Sequence, residues 1–212
     1  RGPNGISADS FLNARVMVCN TLDDSITIVN VPQGSVIADY SVGATPVDCD
    51  WSMLQLGAAQ VAMIANQGGL NDPNGSISLY IGGVGRDGIE NTFTDNVSNP
   101  SNVYGQQQWI NGFGTAIPQR FIIPNTGGKT VTEYNFTVVG VFGAAILVNP
   151  VQSYEVGFNP TTAVYDPFYP ALFMFASVAG QGAVAGINYG RPVPAQLTRV
   201  PGVRRLFTTY TH

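Results

Sequence analysis

Histidine and cysteine are scarce in this chain, and each shortage excludes a class of chemistry. His212, the last residue, is the only histidine among 212 residues. A Ser–His–Asp triad, a histidine-ligated zinc site and an axial histidine on haem are therefore excluded within this sequence. The two cysteines form no CxxC pattern and are too few for a metal cluster. We therefore expect no catalytic residues, no metal, no cofactor and no enzymatic activity.

Charge is scarce as well. Charged residues make up 10% of the chain, lysine occurs once, and the net charge is −4. A chain of this balance is not expected to bind nucleic acid. Four arginines nevertheless crowd the C-terminal end, where they form either a solvated end, which is the commoner case, or a contact with an acidic protein surface: Arg191, Arg199, Arg204 and Arg205.

The low lysine content and the abundance of Asn, Thr, Gly and Ser are typical of secreted β proteins. We expect an extracellular, cell-surface or periplasmic location. The sequence begins at Arg1 rather than Met, which indicates a processed product or a segment excised from a longer protein. The longest apolar run, residues 137–148, is too short to span a bilayer, so no transmembrane segment is expected.

Helical periodicity is also missing. No window carries apolar residues at i, i+3, i+4 and i+7 over three turns, whereas ITIV, ISLY, FIIP and LFMF are β-branched or aromatic runs bounded by turn residues. The 25 glycines and 14 prolines provide many tight turns. The sequence therefore predicts an all-β protein.

A weak repeat organises these strands. Four times a proline leads into a short strand, then an apolar strand ending in Asn or Ser, a Gly/Asp turn and a β-branched strand. The anchor prolines are Pro3, Pro46, Pro100 and Pro160. Their spacing of roughly 40 to 60 residues brackets the length of a propeller blade. We expect the polar residue that ends the apolar strand to open the hairpin through local backbone bonds or, for Asn, a left-handed φ, at Asn20, Asn66, Asn125 and Ser177.

The quoted strands resemble a known repeat. The stretch VMVCNTLDDSITIVNVPQGSVIADYSVGATPVDCDW is similar to the units of the YVTN family of β-propeller repeats, and GFNPTTAVYDPFYPALFMFASVAGQGAVAGINY is a second good match. The second and third copies match at their strands and depart in insertions. The resemblance implies a propeller fold and an extracytoplasmic setting, and it implies no reaction.

We therefore predict a β-propeller, or part of one, of about four to five four-stranded antiparallel blades. The units are residues 3–45, 46–99, 100–159 and 160–200, and residues 201–212 are either a partial fifth unit or a ring-closing strand. A viral or surface-layer β-sandwich is the alternative fold. Insertions at residues 82–99, 105–119 and 138–150 are predicted to be loops on one face, and the first two to contact a partner.

The candidate site residues are few. Cys19 and Cys49 fall in neighbouring units, so they are predicted to form either a disulfide or a pair of buried thiols. Asp48 and Asp50 lie two apart in a predicted strand and share a side, where acids facing solvent are favoured over a Ca²⁺ site or an acid–base pair.

Aromatic residues follow each anchor proline at similar places, and packing between sheets is their commoner role. The alternative is a platform for a sugar or a protein, for which the candidates are Tyr104 and Trp109, together with Arg199, Arg204 and Arg205.

The function predicted is that of a non-enzymatic extracytoplasmic propeller, a structural or protein-binding component of a larger assembly. The alternatives are a carbohydrate-binding surface propeller and a fragment of a propeller enzyme, such as a lactonase or an oxidoreductase subunit. Protein partners are expected, and a glycan is the alternative ligand.

Overall fold

The computed structural model describes residues 2–9, 14–52, 60–83, 86–94, 97–105, 119–139, 145–165, 173–188 and 196–199. In these residues the regular structure is sixteen β-strands and one short 3-10 turn, Ala179–Gln181. None of the described residues forms a helix long and apolar enough to cross a membrane. The predicted all-β class is confirmed.

The strands form four sheets of four, each in chain order and each antiparallel. Blade 1 contains β1 to β4, at Pro3–Ala8, Arg15–Asn20, Ser25–Asn30 and Ser35–Ser41. Blade 2 contains β5 to β8, at Pro46–Ser52, Gln60–Asn66, Ser76–Gly83 and Arg86–Phe93. Blade 3 contains β9 to β12, at Tyr104–Gly105, Gln119–Pro124, Thr130–Val139 and Ala145–Glu155. Blade 4 contains β13 to β16, at Pro160–Tyr165, Phe173–Val178, Ala183–Asn188 and Gln196–Arg199.

The blades follow one another as in a propeller. The first strand of each blade lies innermost and contacts the first strand of the next, so β1 meets β5, β5 meets β9 and β9 meets β13. The predicted propeller of four-stranded blades is confirmed, and the β-sandwich is wrong, because the strands form four sheets rather than two. Residues 201–212 lie outside the described residues.

Two of the predicted loops are in fact strands. Residues 82–99 contain β8, which pairs with β7 along its length, and residues 138–150 contain the turn-side ends of β11 and β12. The sequence of β8, RDGIENTF, looks like a loop because an outer strand borders solvent and needs few apolar residues. Of the third predicted loop, residues 106–118 lie outside the described residues.

Apolar side chains fill the spaces between successive blades. Between blades 1 and 2 the core contains Met17, Cys19 and Ile26 packed against Trp51 and Ile64. The second core joins blade 2 to blade 3, and the third joins blade 3 to blade 4. Side chains alternate between the two faces of a strand, and an inner blade is covered by a neighbouring blade on each face. Its middle strands are therefore apolar on both faces, as β6 is from Val61 to Ala65.

The residue before each anchor proline is in the left-handed region of backbone space. These residues have φ between 44° and 61°, and they are Gly2, Thr45, Asn99 and Asn159. In every blade the carbonyl of this residue accepts a hydrogen bond from the amide that directly follows the pairing partner of the anchor proline, at Thr21, Gln67, Thr126 and Ala179. The turn therefore fixes where each inner strand begins.

The asparagines that end the second strands do not open the hairpins, so this prediction is wrong. Asn66 is fully buried, and its Nδ2 donates to the hydroxyls of Ser76 and Ser78 on the neighbouring strand. The same cluster, a buried asparagine that donates to two hydroxyls on the next strand, recurs at Asn20 and Asn125, and we call it the knot. In blade 4 the register places Val178, rather than Ser177, opposite the anchor proline, so the knot is replaced by apolar packing.

Candidate functional site

The most concentrated polar chemistry among the described residues lies on the inner strand of blade 2. Asp48 and Asp50 project from the same side of β5, because they are two residues apart in a strand. Asp48 Oδ2 accepts hydrogen bonds from Asn102 Nδ2 at 2.6 Å and from the amide of Val103 at 3.0 Å. This carboxylate therefore ties blade 2 to the start of blade 3.

Asp50 joins three blades. Its Oδ1 accepts from the hydroxyl of Ser7 in blade 1 at 2.8 Å and from the amide of Trp51 at 3.0 Å. Its Oδ2 accepts from the amide of Gly105 in blade 3 at 2.8 Å. Both oxygens of one carboxylate are thus used to hold inner strands together.

Two glycines allow the inner strands to come this close. A Cβ on Gly5 would lie 2.6 Å from the Cα of Asp48, and one on Gly105 would lie 2.6 Å from the carbonyl oxygen of Trp51. Neither space can hold a side chain without moving backbone. The glycines therefore place β1 and β9 within hydrogen-bonding reach of the two aspartates.

Burial dominates the electrostatics of this pair. Loss of hydration raises the pKa of Asp48 above its ordinary value, and the nearby charge of Asp50 adds to the effect. Burial likewise raises the pKa of Asp50, although hydrogen bonds from Gly105, Ser7 and Trp51 oppose it. Donors from three blades engage the oxygens of the two aspartates. Among the described residues, no group of three His, Cys, Asp or Glu side chains is placed to hold a metal ion.

A second polar junction joins blades 1 and 2. Arg15, at the start of β2, donates to Asp87 Oδ1 on the outer strand of blade 2 at 2.9 Å. Tyr80 donates to the same oxygen at 2.8 Å, and its ring packs edge-on against Trp51 at a centroid distance of 5.5 Å. Burial and the hydrogen bond to Asp87 raise the pKa of Tyr80, so the hydroxyl stays protonated.

A third junction lies in blade 3, on the side that faces blade 4. Glu133 is only 1% exposed, and its Oε1 accepts from Arg120 Nη1 at 2.9 Å. Tyr154 donates to Oε2 at 3.1 Å. Burial raises the pKa of Glu133, while the charge of Arg120 and the hydrogen bonds from Tyr154 and Arg120 lower it. The ion pair therefore neutralises a carboxylate that solvent does not reach.

Cys19 and Cys49 meet between blades 1 and 2. Both are buried free thiols within the same apolar core. The hydrogen bond with Cys19, together with burial, raises the pKa of the Cys49 thiol well above its ordinary value. Such a thiol is a weak nucleophile, because the thiolate is the reactive form. The disulfide stays a prediction.

The residues predicted to contact a partner are not brought together by the described part of the chain. Tyr104 lies on inner strand β9, half-buried, with its ring 6.1 Å from that of Tyr165 in blade 4. Arg199 is the last residue of β16. Trp109, Arg204 and Arg205 lie outside the described residues, and partner contact through any of the five stays a prediction.

Sequence reasoning missed Glu133, Arg120 and Arg15. A signal was present, because Arg15 and Arg120 each stand five residues before the asparagine that ends the second strand, and Val61 stands there in blade 2. Glu133 lies on β11 at the place of Leu79 on β7. Because the same position is Ile28 in blade 1, the charge of Glu133 at an otherwise apolar place indicates a buried pair.

No protein-family model matches the chain, and no curated protein matches it either. Among solved structures, the chain is similar to a functionally unknown protein from Desulfotomaculum acetoxidans, with a TM-score of 0.66 and 13% identity over 95% of this chain. It is also similar to the hydrazine synthase of Kuenenia stuttgartiensis, with a TM-score of 0.42 and 14% identity over 88% of this chain. The chain spans 58% and 64% of the lengths of those two chains. At such identities the first likeness supports the propeller fold alone, and the second carries no argument.

Proposed function

We infer that this chain is a non-enzymatic, extracytoplasmic β-propeller unit that serves as a structural or protein-binding component of a larger assembly. The observation that carries the inference is the use made of its buried polar groups. Asp50 holds Ser7, Trp51 and Gly105 on three successive blades, and Glu133 is neutralised by Arg120. These groups are engaged in holding blades together.

Membership of the YVTN repeat family is part of this proposal. It is supported by the repeat of anchor proline, left-handed turn and buried asparagine in successive blades. The extracytoplasmic setting is supported by the single lysine and by the 10% content of charged residues. Fractionation of the source cells tests this part: we expect the protein in the exported fraction, and recovery from the cytoplasm alone would overturn the extracytoplasmic setting.

Three of the described aromatic residues are packed between the blades rather than presented on the surface. Trp51, Tyr80 and Tyr165 are at most 5% exposed, so none of them offers a ring face to a sugar. The connection between β9 and β10, residues 106–118, belongs to one of the two segments that the sequence predicts to contact a partner. We propose that this connection contacts the partner.

The test uses two tagged forms of the chain, the parent and a variant in which a short Gly/Ser linker replaces residues 106–118. Each is used to purify partners from the exported fraction of the source cells, and circular dichroism checks that the variant keeps its fold. We expect a partner that the parent enriches and the variant loses. Equal enrichment by both forms would remove this segment from the interface.

The non-enzymatic part has its own test. The purified chain is incubated with a panel of lactones, with and without added Ca²⁺. We expect no turnover above background in any combination. Turnover that Asp50→Asn abolishes would overturn the proposal and make β5 an active site.

A further inference from the structure

The hairpins that follow the second strands and the links between blades lie at one end of the propeller. Each anchor proline pairs at the end of the second strand of its blade, so the hairpin after that strand and the link before that proline are neighbours. In the described residues they form one surface, which we call the hairpin face: residues 21–24, 42–45, 67–75, 97–99, 125–129, 156–159 and 179–182.

Hydrogen bonds tie the segments of the hairpin face to one another. The hairpin of blade 2 is held from both sides. The amides of Gln67 and Gly68 donate to carbonyls in residues 42–45, the link before it. From the link after it, Asn99 Nδ2 donates to the carbonyls of Gln67 and Pro73, each at 2.9 Å. A surface that is already ordered loses little conformational freedom when a partner binds, which favours binding.

Three large apolar side chains project from the hairpin face. Leu70 is 103% exposed, Leu22 is 79% exposed and Phe158 is 53% exposed. Leu70 belongs to blade 2, which has a blade on each side, so a further blade before blade 1 or after blade 4 would not adjoin it. Turns favour Gly, Pro, Asn, Asp and Ser, so the leucines do not serve the turns themselves. Exposed apolar side chains on an ordered surface are typical of a site that another protein covers.

The charge of the hairpin face is predominantly negative. Its acids are Asp23, Asp24 and Asp72, and the one base in these described segments is Lys129. The Lys129 ammonium lies 4.3 Å from the centre of the Phe158 ring. An excess of acids favours a partner surface rich in Lys and Arg, and it disfavours the anionic surface of a membrane.

We propose that the hairpin face binds a basic protein surface whose apolar side chains cover Leu22, Leu70 and Phe158. The apolar residues form the centre of the contact and the aspartates lie at its rim, as in other protein interfaces. This inference rests on the proposed function and deepens it, because it names a second binding surface and the chemistry of the partner. The surface is separate from the connection proposed above, which follows the far end of β9 at Gly105.

Photocrosslinking tests the location. The photoreactive residue p-benzoylphenylalanine replaces Leu70, Leu22 or, as the control, Val36, which is 60% exposed and lies near the other end of blade 1. Each purified chain is irradiated with the exported fraction of the source cells, and mass spectrometry identifies the crosslinked segment. We expect one partner segment, rich in basic and apolar residues, from positions 70 and 22 and not from position 36.

Four results would overturn the proposal. They are crosslinking at position 70 no stronger than at position 36, and crosslinking at position 70 to an acidic segment, to a lipid or to a second copy of this chain. Circular dichroism checks that each variant keeps its fold, which we expect for position 70 because the side chain of Leu70 is fully exposed.

Affinity measurements with the identified partner, once purified, test the chemistry. Leu70→Ser should raise Kd at least about tenfold, because an apolar anchor at the centre of the contact is lost. Asp72→Asn removes a charge with little change of shape, so it should raise Kd about two- to fivefold and reduce the salt dependence of binding. Val36→Ser should leave Kd unchanged. An unchanged Kd in Leu70→Ser would overturn the site, and tighter binding by Asp72→Asn would overturn the basic partner.

Failure of this inference can be told apart from failure of the proposed function. Absence of crosslinks from the hairpin face, with a partner still captured through residues 106–118, overturns the inference and leaves the proposed function standing. Turnover of a lactone that Asp50→Asn abolishes overturns the proposed function without changing the crosslinks from position 70.

Discussion

Two interfaces occupy the same places in the repeat but are built from different chemistry. One lies between blades 2 and 3, and the other lies between blades 3 and 4. The former is apolar throughout at the positions of Val61 and Leu79. The latter has Arg120 and Glu133 at those positions, with Tyr154 bonded to the carboxylate. The repeat therefore determines which positions meet between two blades. Apolar packing fills those positions at one interface, and an ion pair fills them at the other.

Removal of Arg120 should have the largest effect. Arg120→Ala leaves Glu133 buried without its counter-charge, and breaking a buried pair in this way typically costs about 3 to 5 kcal/mol of unfolding free energy. Urea denaturation measures the loss. The control is Arg15→Ala, whose partner Asp87 is 39% exposed, so about 1 kcal/mol or less is expected. Equal losses in the two variants would mean that burial does not distinguish the pairs.

The buried knot of blade 3 should come next. Asn125→Ala removes two donated hydrogen bonds, to Thr130 and Thr132, and leaves the amide of Ser98 without its acceptor. We expect a loss of about 1 to 3 kcal/mol in urea denaturation.

Blade 4 provides the matched replacement for that knot. The triple variant Asn125→Val, Thr130→Ala, Thr132→Ala copies the apolar set that blade 4 has at Val178, Ala183 and Ala185. It should be more stable than Asn125→Ala alone, because both partners of the bonds from Asn125 to Thr130 and Thr132 become apolar together, while the amide of Ser98 lacks its acceptor in either variant. A triple variant less stable than the single variant would show that the knot contributes more than the satisfaction of its own polar groups.

Converting one interface into the other should cost little. The double variant Arg120→Val, Glu133→Leu gives blade 3 the residues of blade 2, and buried ion pairs replaced by apolar side chains are often neutral or stabilising. We expect a melting temperature within a few degrees of the parent, far above that of Arg120→Ala. A double variant as unstable as Arg120→Ala would mean that the ion pair itself stabilises the interface, and does not merely neutralise the buried charge of Glu133.

The pH dependence should be the smallest effect. Burial raises the pKa of Asp48, Asp50 and Glu133 above ordinary values of 3.8, 3.8 and 4.5. Between the ordinary and the raised value, the folded chain still holds protons that the unfolded chain has released, so the free energy of unfolding falls as pH rises through that window. Above the raised pKa values, these three groups no longer change the free energy of unfolding as pH rises.

Urea denaturation at a series of pH values upward from about 4 measures this slope. Asp50→Asn removes one of the three titrating groups and should make the decline shallower. An unchanged slope in Asp50→Asn would remove Asp50 from the groups that titrate on unfolding.

The sequence predicted the strand composition and the blade architecture well, because anchor prolines and β-branched runs are local signals. It mistook β8 for a loop, because an outer strand beside solvent needs no apolar face. It also misread the asparagines that end the second strands. Their hydroxyl partners lie on the neighbouring strand, at Ser25 and Thr27 for Asn20, so the partnership depends on strand register.

The site was harder to predict than the fold. Asp48 and Asp50 were visible as a pair, but the donors that engage them belong to other blades, at Ser7, Asn102 and Gly105. These three bonds join residues 43 to 55 positions apart, which no local pattern encodes. Glu133 could have been found only by aligning blades 2 and 3 position by position.

The stability of Asp50→Ala tests the central claim most directly, because that claim is that the buried carboxylates hold blades together. Removing this side chain leaves the hydroxyl of Ser7 and the amides of Trp51 and Gly105 without their acceptor. We expect the unfolding free energy in urea to fall by about 1 to 3 kcal/mol. A gain in stability would contradict the account, because residues kept for function at the expense of the fold are the ones whose removal stabilises a protein.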